Sequence, residues 1–164
     1  MLNRISRFTS RGLIWSMSSL IVIVLAQAML SPWFLFGVNI DESLPGYLYL
    51  VMRGEMPQRN EIAAFRTPAN PYYPANVPFI KIIRGVEGDT VQRTEREFFI
   101  NGASIGRAKP ETRTGLPLTL GPVGTLPKDR YFVWTPHQDS YDSRYGEIGW
   151  IASEQLLGRA MRLL

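Results

Sequence analysis

The stretch Phe79-Ile80-Lys81-Ile82-Ile83-Arg84-Gly85-Val86-Glu87-Gly88-Asp89-Thr90-Val91 reads as strand, turn and strand. Aromatic and β-branched residues fill positions 79–83, and Gly85 and Gly88 punctuate the turn beyond them. Side chains alternate between the faces of a strand, so Phe79 and Ile83 share the face of Lys81 while Ile80 and Ile82 take the other. An amine is thereby set on an apolar face. By itself this is either a lysine snorkelling from an edge strand or a desolvated one, whose charged form burial disfavours.

Downstream, Glu97-Phe98-Phe99-Ile100 is expected to pair with Thr90-Val91 and to end at an Asn101-Gly102 hairpin turn. Residues 103–128, rich in Gly, Pro and Thr, read as a loop or small flap. Arg130-Tyr-Phe-Val-Trp134 reads as a strand, and Ser153 to Leu157 as a short helix with Ser153 as its N-cap. Upstream, Tyr47-Leu-Tyr-Leu-Val51 and Glu61-Ile-Ala-Ala-Phe65 are further strands. Pro68, Pro71, Pro74 and Pro78 mark a loop that no helix could cross. Many short strands and few helices predict a mainly β, compact fold.

From Gly12 to Ile40 there is no Asp, Glu, Lys or Arg, and the most apolar part runs from Leu13 to Leu30. A helix of about 20 apolar residues crosses a bilayer. Pro32 is expected to end it, with Trp33, Phe34 and Phe36 as an interfacial aromatic belt. Arg4, Arg7 and Arg11 precede it, which predicts a cytoplasmic N-terminus and an exported body. The chain thus divides into a basic N-terminus (1–11), a single transmembrane anchor (12–38) and an exported domain (39–164). The other reading is a cleavable leader, for which Ala26-Gln27-Ala28 has the small-x-small form.

With 164 residues, the chain has room for one modest core plus the anchor. The net charge of +4 is a topology signal, because the body lacks a basic run interleaved with aromatics. No nucleic-acid partner is expected. The chain has no Cys and one His, His137, which excludes a thiolate nucleophile, a disulfide and a multi-histidine metal cluster. No metal and no cofactor are expected.

A serine nucleophile needs an adjacent base, and with one His in the chain a lysine is the natural candidate. An unperturbed lysine, with a pKa of about 10.4, is almost wholly charged at pH 7, so the desolvated reading of Lys81 is the one that permits catalysis. Ser43 lies in Asn39-Ile-Asp-Glu-Ser43-Leu44-Pro45-Gly46-Tyr47. Pro45 fixes the chain after it and Gly46 permits a close backbone approach. Alone, Ser43 is an ordinary turn serine. Asp142 and Arg144, two apart, fall on one side of a strand and read alone as a structural ion pair.

Taken in order, these motifs resemble the S26 family of signal peptidases over nearly the whole chain. The likeness is greatest to the conjugative-transfer (TraF-type) branch. The nucleophile motif is Ser43-Leu44-Pro45-Gly46-Tyr47, with the Gly one position early. The lysine box resembles Ile80-Lys81 followed by Gly85-Val-Glu-Gly88-Asp89, and the C-terminal box resembles Ser140-Tyr-Asp142-Ser143-Arg144-Tyr145-Gly146. Ile151 to Ala160 resembles the closing segment.

The resemblance implies a signal-peptidase-like β-fold with one transmembrane helix. Ser43 would attack the scissile carbonyl, and neutral Lys81 would take its proton and pass it to the leaving amine. Ser140 would hydrogen-bond and orient Lys81, Asp142 and Arg144 would brace that region, and the Ser43 backbone N–H would be one oxyanion donor. The substrate would lie extended along a strand edge, with shallow pockets for small side chains.

The resemblance and the residues together imply a serine endopeptidase held in the inner membrane, with its catalytic domain in the periplasm. It would cleave a leader or a pilin-like precursor in conjugative pilus maturation. Its partners would be the peptide precursor, the lipid bilayer and conjugative-transfer or type IV secretion components. Two alternatives stand beside it: a small general-secretion type I signal peptidase, and a membrane-tethered assembly subunit without catalysis. Asp41 stands where general signal peptidases often place a hydroxyl residue, and Thr135-Pro136-His137 replaces their Gly-Asp-Asn turn. The short span from Lys81 to Ser140 leaves no room for a large accessory domain.

Overall fold

A computed structural model describes residues 2–39 and 43–164. Asp41 lies outside the described residues. The chain divides into two units, Met1–Phe34 and Leu35–Leu164.

The first unit is a 29-residue helix, α1 (Leu2–Leu30). It closes just before Pro32, where Ser31 N–H donates to Gln27 C=O at 2.8 Å and Trp33 N–H to Leu30 C=O at 3.0 Å. Apolar side chains from Ile14 to Leu30 are exposed around the helix. Among the described residues no helix is long and apolar enough to cross a membrane. The single anchor expected over 12–38 is also corrected at its far end. Residues Phe34–Val38 form a strand, β1, whose side chains alternate in burial with the period of two of an extended chain.

The second unit is built from antiparallel strands. They are β2 (Leu48–Arg53), β3 (Ile62–Arg66), β4 (Pro78–Gly85), β5 (Thr90–Thr94), β6 (Glu97–Ile100), β7 (Ala103–Arg107), β8 (Gly124–Thr125), β9 (Arg130–Trp134), β10 (Ile151–Ala152) and β11 (Leu156–Arg162). Among the described residues one sheet has the order β1-β2-β11-β3-β4-β9-β10 and the other the order β7-β6-β5-β8. Phe79 and Ile83 of β4 pack with Ala63, Phe65, Val133 and Ile151, as alternation predicts. Ile80 and Ile82 turn to the other face, against Leu44, Tyr49, Val51 and Ala160. The smaller sheet packs Val91, Phe98, Ile100 and Ile105 with Leu126 and Phe132.

The β6–β7 hairpin forms as its sequence predicts. Ile100 pairs with Ala103, and Asn101 (φ 50°) and Gly102 (φ 81°) both take the left-handed conformation that a two-residue turn of this kind needs. Two expectations fail. Residues 103–128 are not wholly loop, because Ala103–Arg107 continues from the hairpin as β7 and Gly124–Thr125 pairs with β5 as β8. The expected helix Ser153–Leu157 is a single 3₁₀ turn, Ser153–Gln155, capped at Ala152, whose N–H donates to Gln155 Oε1 at 2.9 Å. Leu156 then starts β11, which fills the middle of the large sheet between β2 and β3. Sheet pairing on both sides outweighs the local helical preference there. Gly158 sits at the bulge of that strand, with φ 150° and room for no Cβ, since one would stand 2.0 Å from Met52 C=O.

Candidate active site

Lys81 projects from the middle of β4, opposite Ala63 of β3. The small partner leaves space for the lysine stem, and the side chain is 2% exposed. Its amine stands 5.6 Å from the centre of the Phe79 ring. Lys81 is therefore an interior lysine, and the edge-strand reading falls.

Ser43 lies in the turn that leads into β2 and is 5% exposed. The turn is tied at each of the next four carbonyls. Asn39 Nδ2 donates to Leu44 C=O at 3.0 Å and to Gly46 C=O at 3.3 Å. Tyr49 Oη donates to Pro45 C=O at 2.5 Å. Asn39 N–H donates to Tyr47 C=O, and Tyr47 N–H to Leu164 C=O, both at 2.8 Å. Gly46 has φ 99°, and a Cβ there would stand 2.5 Å from both Arg162 Cδ and Leu164 C=O. Only glycine fits this crossing.

The two residues meet although they are 38 positions apart: Lys81 Nζ donates to Ser43 Oγ at 2.7 Å. Both line a cavity of about 780 Å³ together with Ser140, Tyr73, Phe79 and Tyr141. One wall is aromatic, with Tyr73 edge-on to Phe79 at 5.0 Å and Tyr141 stacked on Tyr145 at 5.5 Å. Burial, and then the nearby Glu147 carboxylate, push the Tyr141 hydroxyl well above the ordinary tyrosine range.

The C-terminal motif folds as a series of turns, not as the strand expected from the spacing of Asp142 and Arg144. The ion pair does form. Arg144 Nε and Nη2 donate to the two Asp142 oxygens at 2.9 Å each, with side chains 3% and 0% exposed. Burial pulls the Arg144 guanidinium down, but the Asp142 carboxylate outweighs it and holds the group above its usual value. Arg144 also donates to His137 C=O at 3.4 Å, and Asp142 accepts from Thr135 N–H at 3.4 Å. The pair thus joins the end of β9 to the loop that carries Ser140. Ser140 lines the cavity, but its buried hydroxyl has no hydrogen-bond partner among the described residues. The expected Ser140–Lys81 bond is not formed.

Asp89, from the lysine box, lies elsewhere. It accepts from Arg59 Nη1 at 2.5 Å and Nη2 at 2.8 Å, Val86 N–H at 2.8 Å and Asn101 Nδ2 at 2.7 Å. It closes the turn after β4 and takes no part at the cavity. Asn39, Tyr49 and a charged rim of Lys109, Arg113 and Asp139 were not legible as site residues. Lys109 and Arg113 both bond Asp139. Asn39 stands in the same stretch as Ser43, yet nothing local shows that it folds back on the turn.

A buried serine and lysine in hydrogen-bond contact, opening on a cleft, are an arrangement in which a hydroxyl can be activated by an amine without a histidine. The family model described as signal peptidase, peptidase S26 matches residues 9–164. The chain belongs to this family. Signal peptidase I of Pseudomonas fluorescens is 28% identical over 139 residues, covering 63% of this chain and 48% of that protein. Signal peptidase I of Bacillus licheniformis is 29% identical over 163 residues, covering 88% and 83%. That of Bacillus amyloliquefaciens is 35% identical over 92 residues, covering 51% and 49%. The chain thus spans about half the length of the first and third of these relatives. A crystal structure of a signal peptidase I from Enterococcus faecalis is 27% identical and covers 64% of this chain and 97% of that one, with a TM-score of 0.43.

Proposed function

We propose that the protein is a serine endopeptidase that cleaves leader-bearing precursor peptides through a Ser43–Lys81 dyad. The observation that carries this reading is the 2.7 Å contact between two buried side chains that line one cavity. Burial disfavours the ammonium form of a lysine. With the amine neutral the contact reverses, and the Ser43 hydroxyl donates to Nζ. The oxygen attacks the scissile carbonyl as its proton moves to Lys81. Lys81 then delivers that proton to the leaving amine, and water, activated by the same amine, releases the acyl group. The Ser43 backbone N–H is the proposed donor to the oxyanion.

Residues 12–30 carry no charged side chain and come after Arg4, Arg7 and Arg11. This supports membrane anchoring with the catalytic domain on the exported side. The relatives named signal peptidase I favour secretory leaders as substrates. A second reading, a pilin-like precursor in conjugative transfer, is supported by the form of Ser43-Leu44-Pro45-Gly46 and by the short span from Lys81 to Ser140.

The test is incubation of detergent-solubilised protein with a secretory precursor and a pilin-like precursor, read by mass spectrometry. A single endoproteolytic cut in at least one, absent with Ser43→Ala, is the expected result. No cut in either, or an equal cut with Ser43→Ala, rejects the assignment.

A further inference from the structure

The turn after Ser43 is tied more heavily than a connection needs. A β-turn is commonly closed by one backbone bond. Here four successive carbonyls, Leu44 to Tyr47, each accept from a protein donor, and these donors belong to two residues, Asn39 and Tyr49. Both residues are interior, at 9% and 0% exposure. The Asn39 amide has two hydrogens, and it meets two carbonyls. Each bond fixes one peptide plane, and rotating the Leu44 plane, next to Ser43, would strand a buried acceptor. The planes just beyond Ser43 decide where its side chain points.

We propose that Asn39 and Tyr49 are positioning residues for the nucleophile. They hold the peptide planes of 44–47 so that Ser43 Oγ stays in reach of Lys81 Nζ. Neither touches the reacting atoms, and the proposal rests on Ser43 being the nucleophile. Misplacing a reacting group by about 1 Å can cost roughly 100-fold in rate. The loss should therefore fall on the reaction of Ser43 and not on substrate binding.

The experiment labels wild type, Asn39→Asp, Tyr49→Phe and Ser43→Ala with a fluorophosphonate probe in detergent. The labelled residue is identified by mass spectrometry, and thermal midpoints and peptide kinetics are measured alongside. Asn39→Asp keeps the shape but turns an acceptor toward two carbonyls. Tyr49→Phe removes only the hydroxyl, and it decides the matter if Asn39→Asp does not fold. The expected result is labelling at Ser43 in wild type, with the rate lowered roughly 10- to 100-fold in Asn39→Asp and roughly 3- to 10-fold in Tyr49→Phe. In both variants kcat falls and KM is unchanged. Absence of label on wild-type Ser43 rejects the nucleophile itself. Wild-type labelling rates in the folded variants, whatever their thermal midpoints, overturn the positioning role and leave the dyad intact.

Discussion

Lys81 and Ser140 share one cavity but differ in what holds them. The Lys81 amine is in contact with Ser43, whereas the Ser140 hydroxyl is buried without a hydrogen-bond partner among the described residues. In the proposed role Lys81 must be neutral to accept the Ser43 proton, and a guanidinium stays charged. Lys81→Arg is therefore expected to be folded and inactive, as judged by peptide cleavage beside a circular-dichroism melt. An unsatisfied buried hydroxyl costs about 1–3 kcal/mol. Ser140→Ala should then match or exceed wild-type stability and keep its rate within roughly threefold, well under the one decade that about 1.4 kcal/mol represents. A rate loss beyond about tenfold would show that Ser140 turns toward the amine during turnover.

The segment from β9 through the turn at 140–146 is organised around one ion pair. Asp142 and Arg144 are almost wholly buried and bonded through two parallel contacts. Removing one partner of such a pair strands the other charge in the interior, at a cost of about 3–5 kcal/mol. Asp142→Ala should lower the thermal midpoint by roughly 10–20 °C and lower activity with it, because Ser140 and Tyr141 ride on the same turn. Replacing both members with apolar residues of similar volume should recover much of the stability, since the pair's desolvation cost disappears too. Thermal unfolding of the two variants and their double tests this.

Across the whole molecule, carboxylates tie distant segments together and make stability depend on pH. Burial pushes Asp89 up, but the bonds from Arg59, Val86 and Asn101 outweigh it and hold the group below the usual carboxylate range. Lys109 and Arg113 pull Asp139 to about 2. A depressed folded-state pKa means that the unfolded chain binds more protons. The contribution is then fully present above the unfolded value of about 3.9 and is lost as pH falls through the folded one. The thermal midpoint should be nearly flat above about pH 5 on this account and should fall between about pH 4 and pH 2. Asp89→Asn and Asp139→Asn should each start from a lower midpoint and lose less of it on acidification. An equal acid slope in wild type and both variants would remove these carboxylates as its source.

By itself, the sequence determined what is local. Alternation across Phe79–Ile83 puts Lys81 on the face of Phe79 and Ile83, because a strand has a period of two whatever surrounds it. Asn101-Gly102 specifies its hairpin, because both residues accept a positive φ. The Ser43, Lys81 and Ser140 motifs mark residues that line one cavity. Only the tertiary structure decided what depends on pairing across the chain. Leu156 to Arg162 becomes a central strand instead of continuing the turn before it, because β2 and β3 together offer it two ladders. Ser43 meets Lys81 across 38 positions, Asn39, Tyr49 and Leu164 close on the turn beyond it, and Ser140 faces the cavity without bonding the amine. Such contacts depend on which buried donors and acceptors find one another once the sheets have formed, and no local pattern of residue types encodes that choice.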